Sequence, residues 1–131
     1  MSSWKTPDDC KFTKTDEWIR PEGGEGVIGL SDYAQSQLSD LVFIELPKVG
    51  AKFDAGKTFG VVESVKAASD LNMPVGGEVI AVNSALEGTP DAMNSDSYGA
   101  GWIIRIKLAN PAELDSLMDS KAYAAYCQER A

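Results

Sequence analysis

The residue with the most chemical promise is Lys66, set in Gly60-Val61-Val62-Glu63-Ser64-Val65-Lys66-Ala67-Ala68-Ser69-Asp70 between two strand-like runs. A primary amine at the tip of a β-hairpin is open to acylation, and Val65 and Ala67 put no acid at either adjacent position. The nearest acids in sequence are Glu63, three residues before, and Asp70, four residues after. Glu63 gives a modifying enzyme a handle. An exposed lysine is mostly protonated at neutral pH, so that enzyme must supply the activation. Most lysines at such tips are simply solvated, and only the rest of the chain decides between the two readings.

Other reactive groups are sparse. The chain has no histidine, which removes Ser-His-Asp and Cys-His nucleophiles and most zinc and haem sites. No catalytic residue and no metal ligand is assigned. Cys10 and Cys127 lie near opposite ends with no Cys-x-x-Cys pair; in a reducing compartment they are two free thiols. Gly24-Glu25-Gly26-Val27-Ile28-Gly29 has G-x-G-x-x-G spacing. A dinucleotide fingerprint also needs a buried parallel strand before it, a helix opening on it and a βαβ unit around it. Here the preceding strand is short and polar, so the glycines read as turn residues feeding a strand.

The elements that must position Lys66 are mostly strands. Lys11–Lys14, Trp18–Arg20 and Val27–Leu30 read as three short ones, after a loose leader over residues 1–10 and with a Gly-rich connection from Pro21 to Gly26. Ser31 is a helix N-cap with Asp32 in the first turn. That helix runs to about Leu38 and buries Tyr33, Ala34 and Leu38. Leu41–Leu46 reads as a core strand that Pro47 ends. Glycines 50, 56, 60, 76 and 77 then punctuate strands over 58–63, 68–72 and 78–83, the regular short spacing of a sandwich or barrel. One helical turn follows at 84–88, another near 90–93, and a strand over 102–107. Asn110-Pro111-Ala112-Glu113 is a helix start, with Leu114, Leu117 and Met118 as its apolar stripe. A last helix covers 119–130 with Tyr123 and Tyr126.

With 131 residues, one domain spanning 1–131 is expected, mainly β with short helices and a helical C-terminus. No apolar run approaches the roughly 20 residues of a membrane span, and Met1-Ser2-Ser3-Trp4 lacks a signal's basic and apolar regions. A cytoplasmic monomer is the expectation. The net charge of −8 argues against nucleic acid and anionic membranes as partners. Between Glu63 and Gly101 six acids face one base, Lys66, a local net of −5; this is either a solvated surface or a docking face for basic partners.

The run Glu63-Ser64-Val65-Lys66-Ala67-Ala68-Ser69-Asp70 closely resembles the lipoylation motif of glycine cleavage system H proteins. The resemblance continues through Pro74–Val79, Ile28–Gln35, Leu41–Pro47, Asn94–Trp102 and Pro111–Leu114, nearly the whole chain from Lys11 onward. It implies a biotinyl/lipoyl-type β sandwich (a barrel-sandwich hybrid). Biotin carriers usually place Met on both sides of the lysine, which Val65 and Ala67 do not match. The family commonly has His-Glu-Trp where this chain has Asp16-Glu17-Trp18, and often an aromatic and a small residue where Asn72-Met73 stand. These departures bear on partner contacts and on hairpin packing, and leave Lys66 untouched.

The resemblance implies lipoate in amide linkage to Lys66, with Glu63 as a lipoylation-recognition residue and with Gly50 and Gly77 as turn glycines that place the hairpin. The implied carrier shuttles an aminomethyl group, in one-carbon metabolism, between three enzymes. These are a pyridoxal-phosphate glycine decarboxylase, a folate-dependent aminomethyltransferase and a flavin dihydrolipoamide dehydrogenase. A lipoylating enzyme loads it. Because the loaded group is hydrolysable, the arm is expected to fold into a water-poor cleft near Glu17, Leu30, Ser31 and Asp32; those residues could equally be fold determinants. Two other functions share the fold: a lipoyl relay serving other enzymes, and an unmodified binding module.

Overall fold

The computed structural model describes residues 4–130. Its framework is two antiparallel sheets. The larger contains β1 (Lys11–Phe12), β2 (Glu17–Glu22), β3 (Glu25–Leu30), β9 (Ile104–Leu108), β8 (Gly77–Val82) and β5 (Lys52–Phe53), in that spatial order. The smaller contains β4 (Leu41–Glu45), β6 (Thr58–Ser64) and β7 (Ala68–Asn72), with β6 in the middle. Among the described residues three α-helices accompany them, α1 (Asp32–Leu38), α2 (Ala92–Ser95) and α3 (Ser120–Arg130), with 3₁₀ turns over Ser84–Glu87 and Pro111–Ser116. This is the mainly β sandwich with short helices and a helical C-terminus that the sequence predicts.

Alternation explains the layers. Ile44 and Val62 from the small sheet, and Ile19, Ile28, Val79, Ile104 and Ile106 from the large one, meet in the main core. A second, aromatic core holds Phe12, Trp18, Tyr33 and Tyr123, and clamps α3 onto the N-terminal strands. Residues before Lys11 belong to it. Trp4 packs edge-on against Tyr33 at 4.6 Å, and Cys10 is buried, so the segment expected to be loose is fixed from Trp4 onward. Residues 1–3 lie outside the described residues.

The G-x-G-x-x-G match is mostly strand. Gly23 and Gly24 form the tight turn between β2 and β3, while Gly26 and Gly29 lie within β3. A Cβ on Gly26 would come within 2.7 Å of Ile19, and one on Gly29 within 2.6 Å of the Trp18 ring. Those two glycines are needed for close packing. The expected Pro21–Gly26 connection shrinks accordingly, because Pro21↔Gly26 and Glu22↔Glu25 pair in the ladder.

Three further differences have local causes. β5 escapes a periodicity reading because it is two residues long and exists only through its pairing with Gly77 and Glu78. The Asn110 cap does start a helix, with Asn110 Oδ1 accepting from the Ala112 N–H. It is a 3₁₀ turn over Pro111–Ser116 rather than an α-helix. In β4 a register shift between Leu41 and Phe43 turns Val42 and Phe43 outward, 53% and 48% exposed, where a core strand was expected.

The solvent face of the large sheet carries a cross-strand row, Lys52–Glu78–Lys107–Glu25–Glu22. Arg105 pairs with Glu22 (2.9 Å) and Glu25 (3.0 Å), and Arg20 with Glu22 (3.4 Å). Charge on this face is nearly balanced.

Candidate functional site

Lys66 occupies the turn between β6 and β7, as the sequence predicts, and its side chain is exposed. Ser64 builds the turn. Its N–H donates to the Ala67 carbonyl at 2.7 Å, and its hydroxyl also donates there at 3.0 Å. The same Oγ accepts the N–H groups of Ala67 (3.0 Å) and Lys66 (3.3 Å). This is the local side-chain-to-backbone bonding that serine offers in turns. Val65, 67% exposed, stands beside the lysine, and its N–H donates to the Asp40 carbonyl at 3.1 Å. Among the described residues the Lys66 ammonium forms no ion pair. The amine is thus reachable on a well-defined turn. An acyl group in amide linkage fits here, since residues 65–68 at the tip are all exposed among the described residues.

Register defines the surface below it. On the solvent face of the small sheet Phe43, Glu63 and Ala68 form one row, and Glu45, Val61 and Asp70 the next. Glu45, Glu63 and Asp70 are exposed. Among the described residues none of the three is paired with a cation. The exposed apolar residues Val42, Phe43 and Val65 are thus carried by the same strands and turn as three uncompensated carboxylates, with Phe43 paired directly to Glu63. Glu63 was visible in the sequence; Ser64, Phe43 and Glu45 were not singled out, because their placement depends on the turn and on the β4 bulge.

Gly50 and Gly77 do not lie in the lysine turn. Gly50, at a left-handed φ of 97°, closes the β4–β5 connection and donates to the Val79 carbonyl. Gly77 begins β8, where a Cβ would meet the Lys107 carbonyl at 2.6 Å and Ile106 at 2.8 Å. Both positions contribute to β8, the strand that follows the hairpin.

Glu17, Leu30, Ser31 and Asp32 are brought together. Glu17 pairs with Leu30 in the β2–β3 ladder, and the Ser31 N–H donates to the Asp16 carbonyl. Glu17 Oε1 accepts from the Thr13 (2.7 Å) and Thr15 (2.5 Å) hydroxyls, and Oε2 accepts the Asn72 N–H (3.0 Å), tying this region to the end of β7. Burial pushes the Glu17 carboxyl up from the ordinary glutamate range against the pull of these donors. Ser31 caps α1 by accepting the Ala34 N–H and lies 2.6 Å from the Tyr123 hydroxyl. Glu17, Leu30 and Ser31 are closed to solvent in this conformation, and Asp32 alone is partly open.

The cover over Glu17 is the Thr13–Asp16 turn, with Asp16 at a φ of 78°. Arg130 grips the Asp16 carboxylate with both terminal nitrogens, at 2.6 and 3.1 Å, while Tyr123 donates to it at 2.8 Å. The Arg130 guanidinium also lies over the rings of Tyr33 (4.4 Å) and Tyr126 (3.9 Å). Asp16 thus has a structural partner.

Cys10 and Cys127 are free and buried. Burial, with Asp9 beside it, pushes the Cys10 thiol up to about 12, and burial raises Cys127 as well; neither is a ready nucleophile. Among the described residues no group of three or more Cys, Asp or Glu could hold a metal ion, and no helix is long and apolar enough to cross a membrane. A cavity of about 500 Å³ runs along β5, β8 and β9, lined by Phe53 and Leu108 with Lys52, Lys107, Asp54 and Glu78. It shares no residue with the lysine turn or the Glu17 region.

Comparison with known proteins agrees with the geometry. The sequence model of the family described as Glycine cleavage H-protein matches residues 10–130. A glycine cleavage system H protein of Symbiobacterium thermophilum is 51% identical over 123 residues, covering 94% of this chain and 96% of the relative. One of Opitutus terrae is 52% identical over 118 residues, 89% and 93% of the two chains. The crystal structure of a glycine cleavage system H protein from Mycobacterium marinum superposes with a TM-score of 0.84 at 35% identity, over 95% of this chain and 99% of that one.

Proposed function

This chain belongs to the glycine cleavage H-protein family, and on that premise we propose that Lys66 is the lipoylated residue of a lipoyl carrier of the glycine cleavage system. Held there as an amide, lipoate supplies the dithiol that takes up the aminomethyl group of glycine. The chain supplies position and recognition and makes no bond itself, as one carrier domain. The observation that carries the reading is the exposed Lys66 amine on a turn closed by Ser64, in a chain of this family.

Each remaining residue then has a task. Glu63, one strand step below the turn, marks the hairpin for the lipoylating enzyme. Gly50 and Gly77 hold the strand that follows it. The exposed apolar residues, with Glu45, Glu63 and Asp70, face the three enzymes that take turns with the arm: glycine decarboxylase, aminomethyltransferase and dihydrolipoamide dehydrogenase. Amide formation removes the Lys66 cation and makes that face more negative. Glu17, Leu30, Ser31 and Asp32 form the resting place of the arm, reached when the Thr13–Asp16 turn lifts. Two buried free thiols suit a reducing cytoplasm.

Intact-mass spectrometry after incubation with a lipoate-attaching ligase, lipoate and ATP tests the assignment. One added lipoyl mass is expected, absent from Lys66→Arg. No added mass, with the ligase active on another carrier, would overturn it.

A further inference from the structure

The turn that presents Lys66 is tied to β4 at the last rung of the β4–β6 ladder, where Leu41 pairs with Ser64 and the Val65 N–H donates to the Asp40 carbonyl at 3.1 Å. Asp40 belongs to the short link between α1 and β4, which leaves α1 through Ser39 at a left-handed φ of 69°. Exposed links of this kind are ordinarily mobile. This one is gripped by Asn94 of α2.

Asn94 commits all its side-chain polar atoms there. Its Nδ2 donates to the Ser39 carbonyl and to Gln35 Oε1, both at 2.9 Å, and its Oδ1 accepts the Leu41 N–H at 2.9 Å. The Leu41 N–H and the Asp40 C=O belong to the same peptide unit. A peptide unit is planar, so fixing its N–H fixes the direction of its carbonyl. The connection is continuous: Asn94 Oδ1 to the Leu41 N–H, across the 40–41 peptide, and from the Asp40 carbonyl to the Val65 N–H. Hydrogen bonds in series through one amide also polarise each other. The far end is rigid, because Met93, next to Asn94, is buried in the main core.

We propose that Asn94 is a positioning residue for Lys66, acting through the Asp40–Leu41 peptide to hold the lysine turn in the conformation that modifying enzymes bind. This rests on Lys66 being the acylated residue. A turn ordered before binding adds no ordering cost to the complex. Losing the hold should therefore raise KM for the carrier and leave kcat alone.

The test compares the full chain with Asn94→Ala and with Gln35→Ala, which removes one Asn94 partner outside the peptide relay. Amide exchange is read at Val65 and at Ile103, whose N–H donates to the Ile28 carbonyl in the core at 2.8 Å. In Asn94→Ala, Val65 exchanges roughly threefold to tenfold faster, the scale of one hydrogen bond, while Ile103 is unmoved. With a lipoate-attaching ligase, lipoate and ATP, KM for Asn94→Ala rises by a similar factor at constant kcat. Gln35→Ala stays near the parent in both assays. Unchanged Val65 exchange, or equal acceleration at Ile103, would overturn the hold on the turn. Faster Val65 exchange with unchanged KM would overturn its role in recognition. A parent chain that no ligase acylates would overturn the carrier reading itself, and the exchange data would still decide whether Asn94 holds the turn.

Discussion

Glu17 is an acid with no exposure to solvent, held by two threonine hydroxyls and one backbone N–H. Burial disfavours its charged form, and the three donors offset only part of that cost, so its carboxyl titrates above the ordinary range. The folded chain keeps this proton at a pH where the unfolded chain has lost it. Its contribution to stability is therefore greatest at low pH and falls as pH rises from the unfolded value through the raised folded one. Glu17→Gln removes the titration and keeps an acceptor for Asn72, while the threonine hydroxyls can reverse to accept from the amide. Urea unfolding from about pH 4 to about pH 7 should show the difference between variant and parent moving steadily in favour of Gln. A constant difference would contradict the burial argument. The same variant, lipoylated and loaded, should lose its aminomethyl group at a changed rate; an unchanged rate would remove Glu17 from the arm's resting place. The turn position of Lys66 was legible because that signal is local, a lysine between two strands; the role expected of it came from the resemblance over the rest of the chain. The surroundings of Glu17 were not legible, because one of its donors is the Asn72 N–H, 55 residues away in sequence.

Elements followed the same division. α1 was readable, from its cap at Ser31 to its end near Leu38, because that cap acts on an N–H three positions on, although Leu38 is half-buried where burial was expected. The hairpin of β6 and β7 was readable from alternation and turn composition. β5 was not, since pairing alone defines it, nor was the outward face of β4, which follows from a bulge. α3 was found as a helix, yet nothing in its residue pattern indicated what it grips. Its last turn closes on Asp16 through Arg130, with Tyr123 and Tyr126 alongside; the Tyr126 hydroxyl donates to the Lys14 carbonyl at 2.9 Å. The Asp16 carboxylate and the guanidinium are both largely screened by protein, and the pairing holds Arg130 above its ordinary pKa. Arg130→Ala loses this pair and two ring contacts, together roughly 1–2 kcal/mol. The expected result is a lower unfolding midpoint and faster amide exchange confined to the end of α3 and the Thr13–Asp16 turn. Exchange that quickens evenly over all strands would show that α3 supports the sandwich as a whole.

At the scale of the molecule the two solvent faces differ in charge. The large sheet balances its own row of charges, with Arg105 and Arg20 completing it, whereas Glu45, Glu63 and Asp70 on the small sheet have no cation among them. Association with a basic partner should therefore be steered more by the small sheet than by the large one. Glu45→Lys and Asp70→Lys are expected to slow association with the aminomethyltransferase several-fold at low salt, with the difference fading toward about 1 M salt, where the screening length is about 3 Å. Lys52→Glu, on the balanced face, should change the rate little. Equal effects from both faces would leave only net charge at work. An object charged on one side is also rotated by a field before anything touches it. Near a positive entrance a chain with this imbalance would feel a couple about its own centre that turns the three-stranded face, and with it the Lys66 turn, forward.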